Sequence, residues 1–302
     1  MTLEMTLPHQ ADNQRMAFWE TCWKHLLNGS LLRQTQKKTP EQWQIFYNRV
    51  AGIWSSMAGI TAKTATAIAG HLVQEQVIKK GGTVLDIGCG PGTLTLALAE
   101  QDMQVTALDN SQGMIQVVKQ KLSDRRDLAV HTIFGDWRAL PETPVHDAAI
   151  AAFFPEACSP DGIHHMETLA ADTCVLVMGD GTDTFSLRRQ IWDRVMPVPC
   201  PAGGFHHVCA AGYLTAAGRA PRVSRLSIPV TLDVDEAAAN AFFHAYFSMF
   251  GVPAGNLGAV IQEELSPCLD RGRGRVCLEG TAHLVITGWC PCPSQVRSIG
   301  PC

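Results

Sequence analysis

The sequence predicts an α/β fold: a doubly wound, mostly parallel seven-stranded sheet with helices on both faces, preceded by an N-terminal helical segment and carrying a helical insertion in its C-terminal part. Three observations predict it. Short apolar runs alternate with helical stretches from residue 83 to about 180, the rhythm of a parallel sheet whose crossovers are helices. The first such run, Thr83–Ile87, passes through the turn Gly88-Cys89-Gly90-Pro91-Gly92 straight into a helical run. Beyond residue 180 the alternation lapses, and two β-rich runs enclose helical sequence.

Residues 14–34 place Met16, Trp19, Cys22, Trp23, Leu26 and Leu27 at three-to-four spacing, an amphipathic helix. Thr39-Pro40-Glu41 is a helix start, and the helix it opens bears Trp43, Phe46, Tyr47, Val50 and Trp54. A further helix over residues 61–79 ends at Lys79-Lys80-Gly81-Gly82, cations followed by a glycine stop. Strands are expected at 83–87, 104–108, 129–134, 146–152 and 173–179, with helices near 93–101, 111–122 and 162–170. Helices are then expected at 184–196 and 205–217, a strand at Arg222–Leu232, helices at Asp235–Phe250 and Asn256–Leu269, and a last strand at Arg275–Trp289. This divides the chain into an N-terminal helical part (1–80), a ligand-binding core (81–182), a completion of the sheet with inserted helices (183–289) and a loosely held tail (290–302).

The chain has 302 residues, 46% of them hydrophobic, enough to bury a sizeable core. Its net charge of -4 and scattered cations disfavour a nucleic-acid partner, which usually meets a basic patch. No run approaches a membrane span, and the N-terminus lacks the basic-then-apolar order of a signal peptide, so a cytoplasmic protein is expected, as monomer or homodimer. The 11 cysteines are dispersed and odd in number, which suits reduced, mostly buried thiols.

Glycines at alternate positions allow positive φ and let a ligand approach the backbone closely. Asp109 ends the second strand about 20 residues after the first glycine, the distance at which a carboxylate reaches ribose hydroxyls. The two strand-end carboxylates, Asp86 and Asp109, therefore flank a nucleoside site. The glycine spacing differs from the G-x-G-x-x-G of dinucleotide sites, and Asp86 would repel a pyrophosphate while suiting a ligand with an ammonium group. S-adenosylmethionine has that group, a sulfonium and no phosphate.

With VLDIGCGPGTLTLALA, VTALDNSQGM and FGDWRAL in order, residues 83–140 resemble motifs I, II and III of the class I S-adenosylmethionine-dependent methyltransferases. The resemblance implies that Asp86, with the backbone of Gly88 and Gly90, holds the methionine end, that Asp109 binds the ribose, and that Cys89, Gly92 and Asn110 belong to the same cofactor site. It further implies that Met114, Asp136 and Trp137 surround the adenine and that Phe153 lines the site. WQIFYNRVAGIW resembles the segment that folds over the cofactor as a lid in small-molecule methyltransferases, placing Tyr47 and Trp54 over the site. The sheet of that superfamily ends in an antiparallel pair, which the last two strands would supply, with the inserted helices shaping an acceptor pocket.

The acceptor is less legible. Ala152-Phe153-Phe154-Pro155-Glu156 replaces the Asn- or Asp-Pro-Pro-Tyr turn that grips base and glutamine amides, which favours a small-molecule acceptor over an RNA or protein. A non-catalytic S-adenosylmethionine-binding protein would carry the same cofactor motifs. Tyr47, Glu156 and His207 are the candidates for a catalytic base or positioning group. No resident metal is expected: Asp180 and Asp183 follow the fifth strand, but Glu156 stands alone after the fourth, and the adjacent pairs His164-His165 and His206-His207 point about 100° apart on a helix. Cys290-Pro291-Cys292 with Cys302 is short of the C-x-x-C spacing of zinc sites.

Overall fold

The computed structural model describes residues 7–57, 61–201 and 203–291. The tail, with Cys292 and Cys302, lies outside the described residues apart from Cys290 and Pro291. Helices α1 (Leu7–Gly29), α2 (Leu31–Lys38), α3 (Pro40–Val50), α4 (Trp54–Met57) and α5 (Ala62–Gln74) precede the sheet. Then β1 (Thr83–Ile87), α6 (Thr93–Ala99), β2 (Gln104–Asp109), α7 (Gln112–Leu122), β3 (Val130–Phe134), β4 (His146–Ala152), α8 (Pro160–Leu169) and β5 (Ala170–Gly179) alternate. The remainder is α9 (Leu187–Val195), α10 (Phe205–Ala216), β6 (Arg222–Asp235), α11 (Glu236–Ser248), α12 (Ala254–Leu265), β7 (Leu269–Asp270) and β8 (Arg275–Trp289).

The strands run in the order β3-β2-β1-β4-β5-β8-β6. Strands β1 to β5 are parallel, and β8 lies antiparallel to both β5 and β6. The sheet holds eight strands rather than seven. The extra one is the two-residue β7, a short return that pairs with the start of β8. Such a fragment leaves too little periodicity in a sequence to be read there.

Four of the five β1 residues are buried, as both faces of a parallel sheet require. Alternation sorts them. Leu85 and Ile87 join Ala149, Leu176 and Met178 on one face, covered by α8, α10 and the Trp23 end of α1. Val84 joins Ile150, Val175 and Val177 on the other, covered by Ile68 and Leu72 of α5 and Leu94 and Leu98 of α6. Strand β6 alternates cleanly in its second half, with Ile228, Val230, Leu232 and Val234 inward.

A third core, away from these, joins the two ends of the chain. Trp43 and Phe46 of α3 pack with Trp192 of α9, Phe242 and Phe247 of α11 and Ile261 of α12. The N-terminal helices and the inserted helices thus share one aromatic body. Along α1 and α10 the fit is equally close: a Cβ at Gly212 would meet the Trp19 ring at 2.3 Å. The helix expected to run from Thr39 through Trp54 breaks at residues 51–53, so that Trp54 starts a separate turn directed at the head of the sheet.

Candidate functional site

The crevice lies beyond the carboxyl ends of β1, β2 and β4, where open α/β sheets bind ligands. Gly88, Gly90 and Gly92 adopt φ of 66°, 53° and 73°, values that side chains disfavour. Their necessity differs. A Cβ at Gly88 would strike the Phe154 ring at 2.3 Å, whereas at Gly90 the nearest atom is Trp54 Cδ1 at 3.9 Å. Gly88 is fixed by packing, and Gly90 opens onto the crevice.

Asp86 is 1% exposed, and its Oδ2 accepts from the Thr95 hydroxyl at 2.6 Å. Burial pushes its carboxyl up to about 6; the Thr95 hydrogen bond opposes this and the charge of Asp109 adds to it. Asp109 Oδ2 accepts from the Gly90 N–H and its Oδ1 from the Ser111 N–H, both at 2.8 Å. Burial raises this carboxyl too, against the two backbone donors. One side chain thereby ties the glycine turn to the start of α7. Each of its oxygens has a second lone pair for another donor.

Beside Asp86 is a cavity of about 60 Å³, lined by Trp54, Ser55, Asp86, Gly88, Cys89, Gly90, Pro91, Thr93, Leu94, Ala152 and Phe153. That volume admits a few waters and no nucleoside. The N-terminal helices are what narrow it. Ser55 and Thr93 share a hydroxyl hydrogen bond of 2.6 Å, Gln44 Nε2 donates to the Asn110 carbonyl at 2.6 Å, and Asn48 docks on the first turn of α7.

The structure brings five of the eleven residues expected to bind the cofactor to the wall of this cavity. Asp86, Gly88, Cys89, Gly90 and Phe153 line the cavity itself. Phe153 holds φ 51° and is 42% exposed, a strained aromatic at the mouth. Gly92 heads α6, and Asn110 is exposed beside Gln44. The Cys89 thiol is buried, 3.5 Å from the Gly90 carbonyl, and burial raises its pKa. Met114 is buried in the first turn of α7, its N–H donating to Ser111 Oγ. Asp136 is exposed and Oδ1 caps the short turn Trp137–Ala139 by accepting from the Arg138 N–H at 3.0 Å. The Trp137 ring is core, edge-on to Phe154 and His165 at 5.8 and 4.9 Å.

The three catalytic candidates are not gathered at one point. Tyr47 sits among Trp43, Phe46 and Trp54, its hydroxyl accepting from Gln36 Nε2 at 3.2 Å, and burial raises its pKa further. Glu156 is paired with Arg138 at 2.5 Å at the rim. His207 is buried on α10 with Nε2 3.3 Å from Arg225 and, among the described residues, no partner for Nδ1; burial and then Arg225 lower its pKa. Thr95, Asn48 and Ser55 complete the site without having been singled out from the sequence. Thr95 had a signal, lying nine residues after Asp86 within the first motif. Asn48 and Ser55 had none, because their partners are far away in the chain.

Among the described residues, no group of three or more His, Cys, Asp or Glu side chains is placed to hold a metal ion, and no helix is long and apolar enough to cross a membrane. Of the nine described cysteines, Cys89, Cys158, Cys174, Cys200 and Cys209 are buried.

Residues 84–171 match a family model described as a methyltransferase domain. An uncharacterized protein of Haemophilus influenzae is 38% identical over 79 residues, 25% of this chain and 30% of that protein. The ubiquinone biosynthesis O-methyltransferase of Coxiella burnetii is 45% identical over 47 residues, 16% of this chain and 20% of the enzyme. The chain thus spans less than a third of either relative. Among solved structures, magnesium protoporphyrin IX methyltransferase from Synechocystis PCC 6803 with bound SAH aligns at 19% identity and TM-score 0.44, covering 65% of this chain and 91% of that one.

Proposed function

We propose that this chain, whose residues 84–171 form a class I methyltransferase domain, transfers a methyl group from S-adenosylmethionine to a small-molecule acceptor. One observation carries the reading: a carboxylate withdrawn from water, Asp86, lies directly under a glycine turn whose second glycine opens onto the crevice. A pyrophosphate beside that carboxylate would meet its charge in a poorly screened setting, whereas an ammonium group would neutralise it. The donor set suits the cofactor. Asp86 and the glycine backbone would hold the methionine end, Asp109 the ribose, and Met114, Asp136 and the Trp137 backbone the adenine.

When bound, S-adenosylmethionine supplies an electrophilic methyl group on its sulfonium. The work left to the protein is alignment and the exclusion of water. Trp54 and Phe153 border the crevice from opposite elements and would close over it. None of the candidate bases is poised as one: Glu156 is paired with Arg138, burial raises the Tyr47 hydroxyl, and burial and then the Arg225 charge make His207 a weaker base. Transfer by positioning, with an acceptor that needs no buried base, is the reading these environments support.

The test is calorimetric and then catalytic. The chain should bind S-adenosylmethionine and S-adenosylhomocysteine and give no heat with NAD. Release of S-adenosylhomocysteine with small-molecule acceptors separates an enzyme from a binding protein. Tight NAD binding, or no binding of either adenosyl compound, overturns the assignment.

A further inference from the structure

Arg33, on α2, is half-buried, and its guanidinium has one neutral side-chain partner: Nη1 donates to Gln36 Oε1 at 3.1 Å. The other half-buried arginines (Arg125, Arg188, Arg189, Arg219 and Arg275) each face a carboxylate at ion-pair distance. Among the described residues none stands within that distance of Arg33. A guanidinium withdrawn from water carries five donors, and leaving most of them without an acceptor is costly.

Its surroundings connect it to the crevice. Gln36, which accepts from Arg33, donates in turn to the Tyr47 hydroxyl, and the Tyr47 ring lies 5.3 Å from that of Trp54, a cavity wall. The charged neighbours are Glu156 and Arg138, and these answer one another at 2.5 Å. Burial lowers the Arg33 pKa; Glu156, Cys158 and Tyr47 oppose that, and Arg138 adds to it. The other titratable neighbours are neutral. Burial and then the Arg33 charge hold the His206 imidazole down to about 4, and burial pushes the Cys158 thiol up to about 12. Two guanidiniums and one carboxylate leave a net positive charge beside the aromatic wall.

We infer that Arg33 binds an anionic group of the methyl acceptor, a carboxylate or a phosphate, through its planar fork. The inference rests on the methyltransferase reading and assigns the acceptor class within it. A planar guanidinium matches both groups bidentately, which a lysine at the same place would not. An anion there replaces the missing carboxylate partner and leaves the rest of the acceptor against Tyr47 and Trp54. Neutral or cationic acceptors find no compensation for the desolvated guanidinium.

The experiment uses the full chain saturated with S-adenosylhomocysteine, titrated calorimetrically with benzoate, phenyl phosphate and the neutral benzamide. At least one anion should bind at least tenfold tighter than benzamide, and the tighter of the two names the group. Arg33→Gln should reduce affinity for that anion about tenfold to a hundredfold, leave benzamide and S-adenosylhomocysteine affinity unchanged with a Tm no lower than the parent's, while Arg33→Lys recovers only part of the loss. Equal binding of benzamide and the anions, no anion binding at all, or anion affinity indifferent to Arg33→Gln overturns the inference. Failure of S-adenosylhomocysteine to bind the parent chain is a different result, and sinks the methyltransferase reading instead.

Discussion

Asn48 Oδ1 accepts from both the Ser111 hydroxyl and the Gly113 N–H at 2.8 Å, so that one amide on α3 caps the first turn of α7 from outside the helix. Gly113 is one of the early helical residues whose N–H has no partner within its own helix. The contact is tight enough that a Cβ at Gly113 would stand 2.8 Å from the Asn48 carbonyl oxygen. This is the fastening between the N-terminal helices and the cofactor-binding half of the sheet. Asn48→Ala should cost about 1–2 kcal/mol in denaturant titration and abolish slow amide exchange at Gly113. Unchanged exchange at Gly113 would mean that α7 holds its first turn without α3.

The two first glycines of the turn should respond oppositely to alanine. At Gly88 the added Cβ meets the Phe154 ring, so Gly88→Ala should destabilise the fold by several times the roughly 1 kcal/mol that a left-handed backbone alone costs a side chain. At Gly90 the space is open, so Gly90→Ala should fold with only that small loss yet bind S-adenosylmethionine at least tenfold more weakly, its methyl group occupying the cradle. Thermal unfolding and calorimetry on both variants separate the two effects.

Asp109→Ala removes the acceptor of the Gly90 and Ser111 amides together with the carboxylate proposed for the ribose. Loss of charge-assisted hydrogen bonds of this kind costs roughly 1.5–3 kcal/mol, which corresponds to a ten- to hundredfold drop in cofactor affinity. An adenosyl affinity equal to that of the parent would show that the nucleoside lies elsewhere.

Stability and cofactor affinity should depend on pH in opposite senses. The Asp86 carboxyl titrates at about 6 against an ordinary 3.8, because burial disfavours its charged form. The folded value lies above the unfolded one, so the stability it contributes is fully present below pH 3.8 and is lost as the pH rises through about 6. An ammonium-bearing ligand needs the charged form, so affinity rises across the same window and levels off above it. Asp86→Asn should flatten both profiles, read from Tm without ligand and from Kd by calorimetry. Asp109 is also raised, which would broaden the affinity curve without reversing it.

The alternating part of the chain was legible because the inner parallel strands β1, β4 and β5 are buried on both faces and leave apolar runs. The strands at 83–87 and 146–152 match to the residue, and Arg275–Trp289 likewise. The strand at 222 runs on to Asp235, three residues beyond Leu232, because its second half alternates and pairs with β8 through Arg275. The site divides in the same manner. Asp86, the glycines and Asp109 form a local unit held by backbone geometry, and a linear motif describes it. Asn48, Ser55 and Arg33 act across the fold, on partners 38 or more residues away or on a ligand, and no spacing rule reaches that far. The roles of aromatic residues were illegible for another reason. Trp43, Tyr47 and Trp54 follow one helical stripe in the sequence, and only the break after Val50 sends Trp54 to the crevice while Trp43 enters the core.

The placement of β8 between β5 and β6 bears on how the protein comes into being. During synthesis the first five strands emerge long before residue 289, and until then the hydrogen-bonding edge of β5 has no neighbour. That strand contains Cys174–Met178, a wholly buried apolar run in the finished sheet. A ribosome-bound intermediate is therefore expected to display an adhesive border, open to aggregation until β8 pairs with it. Nascent chains stalled before residue 275 should be caught by holdases, and those extended well past residue 289 should be released from them.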